Sequence, residues 1–124
     1  MAATELQRLV ILSTHGPDDP ERATVPFVLA NAGLAMEARV TVVLQSDGGC
    51  CATCGRYEEI REDGFGPPAK LVPSFLELGG TLLVCFPCIE RRRIPPAQLV
   101  AGVQLVMVGR VAAEMLDADA VASY

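Results

Sequence analysis

Five short runs rich in Val, Leu, Ile and Ala recur along the chain, at residues 8–13, 39–45, 81–86, 103–108 and 119–123. Turn formers and a stretch of helical pattern separate one run from the next. This alternation constrains the fold more than any other feature of the sequence. Continuous apolar runs of this length suit strands buried on both faces, and strands alternating with helices predict a parallel sheet covered by helices on both sides. With 124 residues the chain forms one α/β domain with a central, mainly parallel sheet of about five strands. Strand order is not encoded in such a pattern. There is no Trp, and only four Phe and two Tyr, so the core is filled with aliphatic side chains.

The connections are predicted as follows. Residues 14–20 form a loop of turn formers, in which Asp18 or Asp19 caps a helix that carries Pro20 in its first turn and runs to about Met36. Pro26 lacks the amide hydrogen the helix needs and predicts a kink or restart. Residues 46–68, with three cysteines and several glycines, form the longest irregular stretch, and long loops in compact domains are usually functional or mobile. Residues 70–78 form a helix stopped by Gly79 and Gly80. Residues 87–93 form a turn or one to two helical turns. Pro95 and Pro96 open a short helix over 97–101, and a last helix covers 110–116.

Charge and apolar patterning narrow the partners. The formal net charge is −5, and the one basic run is Arg91-Arg92-Arg93. Nucleic acid is therefore not an expected partner, because phosphate binding requires concentrated Lys and Arg. No apolar run approaches the roughly 18 residues a membrane span requires. The segment MAATELQRLV lacks the charged start and long apolar middle of a secretory leader, which makes the cytoplasm the expected compartment. Five cysteines in such a chain are an odd number of reduced thiols. Catalysis, redox exchange and metal binding are the roles that remain.

In an open parallel sheet, sites form beyond the carboxyl ends of the strands. Three loops there carry chemistry: His15-Gly16, the Cys50 to Cys54 cluster, and Cys85-Phe86-Pro87-Cys88. Cys85 closes an apolar strand. Cys88 follows across Pro87, where the start of a helical turn and the arginines one turn on would favour a thiolate. The opposing reading makes Cys85 a small core hydrophobe. Cys51, Cys54, Cys85 and Cys88 form two CxxC units whose four thiolates could hold zinc or an iron–sulfur cluster. Alternatively, Cys50, Cys51 or Cys54 resolves a sulfur species formed on the other pair, or lies idle in a flexible loop. His15, the single histidine, is a candidate proton donor or anion contact. Arg91 and Arg93 are candidate anion contacts, or a solvated face. No nucleotide-binding glycine pattern is present, and no resident cofactor is expected unless the cysteines hold metal.

Residues 13–23, Ser13-Thr14-His15-Gly16-Pro17-Asp18-Asp19-Pro20-Glu21-Arg22-Ala23, resemble the first loop and helix start of DsrE/DsrF-like (TusD-related) sulfur-relay proteins. Residues 79–94 resemble that family's third strand and cysteine loop, and residues 119–124 its last strand. The resemblance implies a three-layer α/β/α sandwich of DsrE-like, flavodoxin- or Rossmann-like type. It implies a cytoplasmic protein assembled as a homo-oligomer, often a trimer or hexamer, or with a relay partner. It further implies a sulfurtransferase role, in which the cysteine after the third strand carries a persulfide to a partner thiol. Cys85 matches the carrier position and Cys88 a second cysteine found in some members. The family's usual Arg-Gly after this loop is Arg93-Ile94 here, and the Cys50 to Cys54 cluster lies outside the family pattern. The alternatives to the relay are a non-catalytic metal-binding domain and a thiol redox-sensing oligomeric module.

Overall fold

A computed structural model describes residues 6–124; the first five residues of the leader reading lie outside it. The strands are β1 (Arg8–Ser13), β2 (Arg39–Leu44), β3 (Thr81–Cys85), β4 (Val103–Val106) and β5 (Ala120–Ser123). The α-helices are α1 (Pro20–Ala35), α2 (Pro68–Glu77), α3 (Phe86–Arg91) and α4 (Val108–Asp117). All pairings are parallel, and the strand order is β4-β3-β2-β1-β5. The chain therefore steps outward from β1 to β4, then returns to lay β5 on the other side of β1.

That order decides the layers. Connections that step in one direction place their helices on one face, and the single return crossover places its helix on the other. One face buries Ile11, Val40, Val42, Leu44, Leu82 and Val84 beneath α1 and α2, with Phe27 of α1 meeting Phe75 of α2 edge to face at 6.0 Å. The alternate side chains Val10, Val43, Leu83 and Val106 point the opposite way and pack on Val111 of α4. Period-two alternation thus yields two thin cores from continuous apolar strands. No helix is long and apolar enough to cross a membrane among the described residues.

Asp19 caps α1, its side chain accepting from Arg22 N at 3.2 Å, and Pro20 stands in the first turn. Of the kink or restart expected at Pro26, the restart does not occur: α1 continues through this buried proline to Ala35. Further differences concern connections. The stretch expected to be irregular after β2 begins with a packed 3₁₀ helix, Ser46–Ala52, and has a second at Tyr57–Glu59. The former buries Gly48, Gly49, Cys50, Cys51 and Ala52, so it is interior structure and not an irregular loop. The helix expected over 97–101 is only a 3₁₀ turn, Pro96–Gln98, because the chain then pairs in an isolated bridge, Thr53 with Leu99. α2 starts two residues earlier than expected, at Pro68, where proline's missing amide hydrogen costs nothing.

Candidate functional site

At the carboxyl edge of the sheet, the loops after β1, β2 and β3 close on one another, as the sequence predicts. Glycine makes the approach possible. A Cβ on Gly16 would stand 2.5 Å from the Asp47 carbonyl oxygen and 3.1 Å from Cys50 Cβ, and one on Gly48 would overlap the Ser13 carbonyl oxygen. A Cβ on Gly49 would press on Ile89 of α3 at 2.9 Å. The 3₁₀ segment Ser46–Ala52 therefore sits wedged between β1 and α3. On the far side, Thr14 donates from its backbone amide (3.1 Å) and its hydroxyl (2.7 Å) to the Tyr124 carbonyl. These bonds occupy the carboxyl end of the β1–β5 pair, where strand order reverses.

Cys85 is the last residue of β3 and the N-cap of α3, and Cys88 lies in the first turn of that helix. The Cys88 thiol donates to Cys85 Sγ at 3.0 Å. Cys85 is buried and Cys88 half-buried. Burial pushes the Cys85 thiol above its ordinary range, and its hydrogen bond with Cys88 adds to this, against a weaker pull from Arg92. At Cys85, the strand-end thiol, desolvation outweighs the pull of Arg92.

Of the three arginines, the structure brings Arg92 to the thiols. Its Nε donates to Asp47 Oδ1 at 2.7 Å and its Nη1 to the Cys88 carbonyl at 3.1 Å. The hydrogen bond to Asp47 strengthens its hold on its proton. Arg91 and Arg93, the candidate anion contacts, are exposed and have no ion-pair partner among the described residues. Arg92 was within reach of sequence reasoning: four residues after Cys88, it stands one helical turn on, on the same side of the backbone. Its partner Asp47 is non-local and carries no such signal.

The other cysteines occupy three different environments. Cys51 is fully buried, its thiol aimed at the carbonyls of His15 (3.4 Å) and Ala23 (3.9 Å), and burial pushes it up to about 12. Cys50 is also raised by burial, with Arg56 opposing. Cys54 is exposed, its amide bonded to the Gln98 carbonyl. Among the described residues no group of three or more His, Cys, Asp or Glu is placed to hold a metal ion. The four-thiolate zinc or iron–sulfur arrangement of Cys51, Cys54, Cys85 and Cys88 is thus not assembled, because Cys51 faces the interior beneath α1. His15 sits at the rim as expected, with Nδ1 and Asp18 Oδ2 at 2.7 Å. Burial works against ionisation of Asp18, but the His15 bond and the Gly16 amide (2.7 Å) hold its carboxyl below the ordinary value. His15 is directed at Asp18 and not at the thiol pair.

Comparison with known proteins agrees with this architecture. The E. coli ychN protein superposes with a TM-score of 0.81 at 22% identity, covering 96% of this chain and 100% of that one. A protein of unknown function from Methanobacterium thermoautotrophicum, MTH1491, gives 0.75 at 15% identity, covering 97% and 100%. The uncharacterized protein MJ0760 of Methanocaldococcus jannaschii is 29% identical over 104 residues, which is 84% of this chain. The chain spans only 38% of that relative's length. Residues 7–123 match the profile of the DsrE/DsrF-like family, and the chain belongs to that family.

Proposed function

We propose that the protein is a sulfur carrier, in which one thiol of the Cys85–Cys88 pair accepts a sulfane sulfur and passes it to a thiol on a partner protein. A cysteine thiolate attacks the outer sulfur of a donor persulfide. A new S–S bond forms on the carrier, the donor's S–S bond breaks, and the donor leaves as thiolate. Delivery to the partner repeats the exchange in the opposite sense, with rates set by thiolate fraction and access. The observation that carries this reading is the pair itself: two thiols 3.0 Å apart at the carboxyl edge of β3, tied by Arg92 to the loop after β2. Family membership supports it. Arg92 anchors the turn that presents Cys88 and supplies positive charge beside the developing thiolate. We further propose that the chain works as a homo-oligomer that docks with a relay partner in the cytoplasm.

Intact mass of the protein before and after exposure to an inorganic polysulfide tests the proposal. The expected result, read at the earliest times after mixing, is a gain of one sulfur mass, reversed by reductant and absent in the double change Cys85→Ser, Cys88→Ser. Undiminished sulfur gain in the double variant would place the chemistry on Cys50 or Cys54 and remove the proposal.

A further inference from the structure

The spacing of Cys85 and Cys88 has a chemical consequence that a one-cysteine carrier would not share. We infer that the pair also reduces the sulfur it carries, releasing it as sulfide and leaving a Cys85–Cys88 disulfide; this rests on the carrier reading above. A persulfide on either cysteine places its inner sulfur within reach of the other thiol, because the two Sγ atoms already stand 3.0 Å apart. The second thiol, as thiolate, attacks that inner sulfur. A Cys–Cys S–S bond forms, the inner-to-outer S–S bond breaks, and the outer sulfur leaves as hydrosulfide. The attacking cysteine sulfur is oxidised by one electron equivalent and the departing sulfur reduced by one, and the attacking thiol's proton ends on the released sulfide. A small-molecule or protein dithiol then restores both thiols and is itself oxidised to its disulfide.

Three further observations favour this step. The pair is in tight register, Cys85 held as the end of β3 and Cys88 in the first turn of α3, so the sulfurs meet without loop closure. Such pre-orientation makes an intramolecular attack compete strongly with transfer to a second protein. The carbonyl of Cys88 is pinned by Arg92, which in turn is fixed on Asp47, so the turn that carries Cys88 is braced through its backbone. The remaining thiols do not offer a rival route of equal standing: Cys51 is committed to the His15 and Ala23 carbonyls, Cys50 is buried, and among the described residues neither Cys50 nor Cys54 is hydrogen-bonded to the pair. The pair would therefore divide its cargo between two fates. Delivery proceeds when an acceptor is docked, and release as sulfide when none is.

The test loads the protein anaerobically with inorganic polysulfide, removes the donor by rapid desalting, and follows intact mass and free sulfide together. The wild type is expected to lose its added sulfur and finish two hydrogen masses below the reduced protein, with one sulfide released per disulfide formed. Of Cys85→Ser and Cys88→Ser, the variant that keeps the carrier is expected to hold its sulfur about tenfold longer or more. Cys85→Ala serves in place of Cys85→Ser if thermal unfolding shows that the hydroxyl is not tolerated at this buried position. Equal sulfur lifetimes in wild type and in the loading variant overturn the inference and leave the carrier reading standing. A wild-type disulfide formed without matching sulfide also overturns it. Absence of sulfur uptake by both single variants, together with no sulfide from the wild type, removes the carrier reading and the inference together.

Discussion

At the scale of single residues, Cys51 and Arg92 make separable predictions. The Cys51 thiol is pushed from the ordinary 9.0 up to about 12 by burial, and Cys50 and Cys85 are raised in the same sense. In the unfolded chain these thiols ionise first. Their contribution to stability is therefore complete below the ordinary thiol value and is lost as pH rises above it, toward about 12 for Cys51. Denaturant unfolding should show a loss of about 1 to 2 kcal/mol between about pH 8 and pH 10, and Cys51→Ala should flatten part of that slope. Native Cys51 should also resist alkylation that modifies Cys54 at once, as peptide mapping would show. Arg92→Gln removes a charge-assisted bond to Asp47 and should slow sulfur loading by about tenfold. Arg91→Gln should leave loading unchanged in the same mass assay, which separates a role for Arg92 from general basicity.

Among elements, the helix ends show what the sequence revealed and what it hid. All three of α1, α2 and α3 end in the same motif. Ala38 N bonds to the Gly33 carbonyl at 3.0 Å, Gly80 N to Phe75 at 2.9 Å and Ile94 N to Ile89 at 3.0 Å, with the residue before each donor in the left-handed region. Gly79 (φ 92°) was legible because glycine is the usual residue there, whereas Glu37 (φ 65°) and Arg93 (φ 56°) carry no such signal. Arg93→Gly is accordingly expected to stabilise the protein by about 1 kcal/mol, read as a higher Tm. Gly48→Ala should do the opposite, since its Cβ would overlap the backbone of β1. The strands were readable to within two residues because aliphatic runs bounded by turn formers have few alternatives. The buried 3₁₀ segment after β2 was not, since Asp-Gly-Gly-Cys-Cys reads as a loop until β1 and α3 are known to clasp it. The convergence of three loops followed from topology, so the thiol pair was legible from local spacing while the Arg92–Asp47 tie was not.

The whole molecule is lopsided. Helices α1, α2 and α3 pack on one side of the sheet, and α4 alone covers the other. Around α4 the side chains of Met107, Val108 and Leu116 are 58%, 71% and 87% exposed, and Val121 on the edge strand β5, in register with Val10 on that face, is partly bare. An apolar strip of this kind is typical of an interface between copies. The double change Val108→Glu, Leu116→Lys touches no core residue and should shift sedimentation toward the monomer while leaving the fold's circular dichroism unchanged. A particle whose mass is already that of a single chain in the wild type would remove the oligomer proposal.

The position of β5 has a consequence for synthesis. Its pairing sets Ala120 against Leu9, so β1 waits for residues more than a hundred positions later before both of its edges are covered. Pairings so distant in sequence form slowly, because loop closure precedes the contacts that reward it. During translation β1, β2 and β3 can assemble while one margin of β1 still presents open amide and carbonyl groups. A nascent chain stalled in α4 would thus offer a template for strand addition by a neighbour. The four-residue β5 replaces the six-residue margin of β1 with a shorter edge, a poorer template for strand addition.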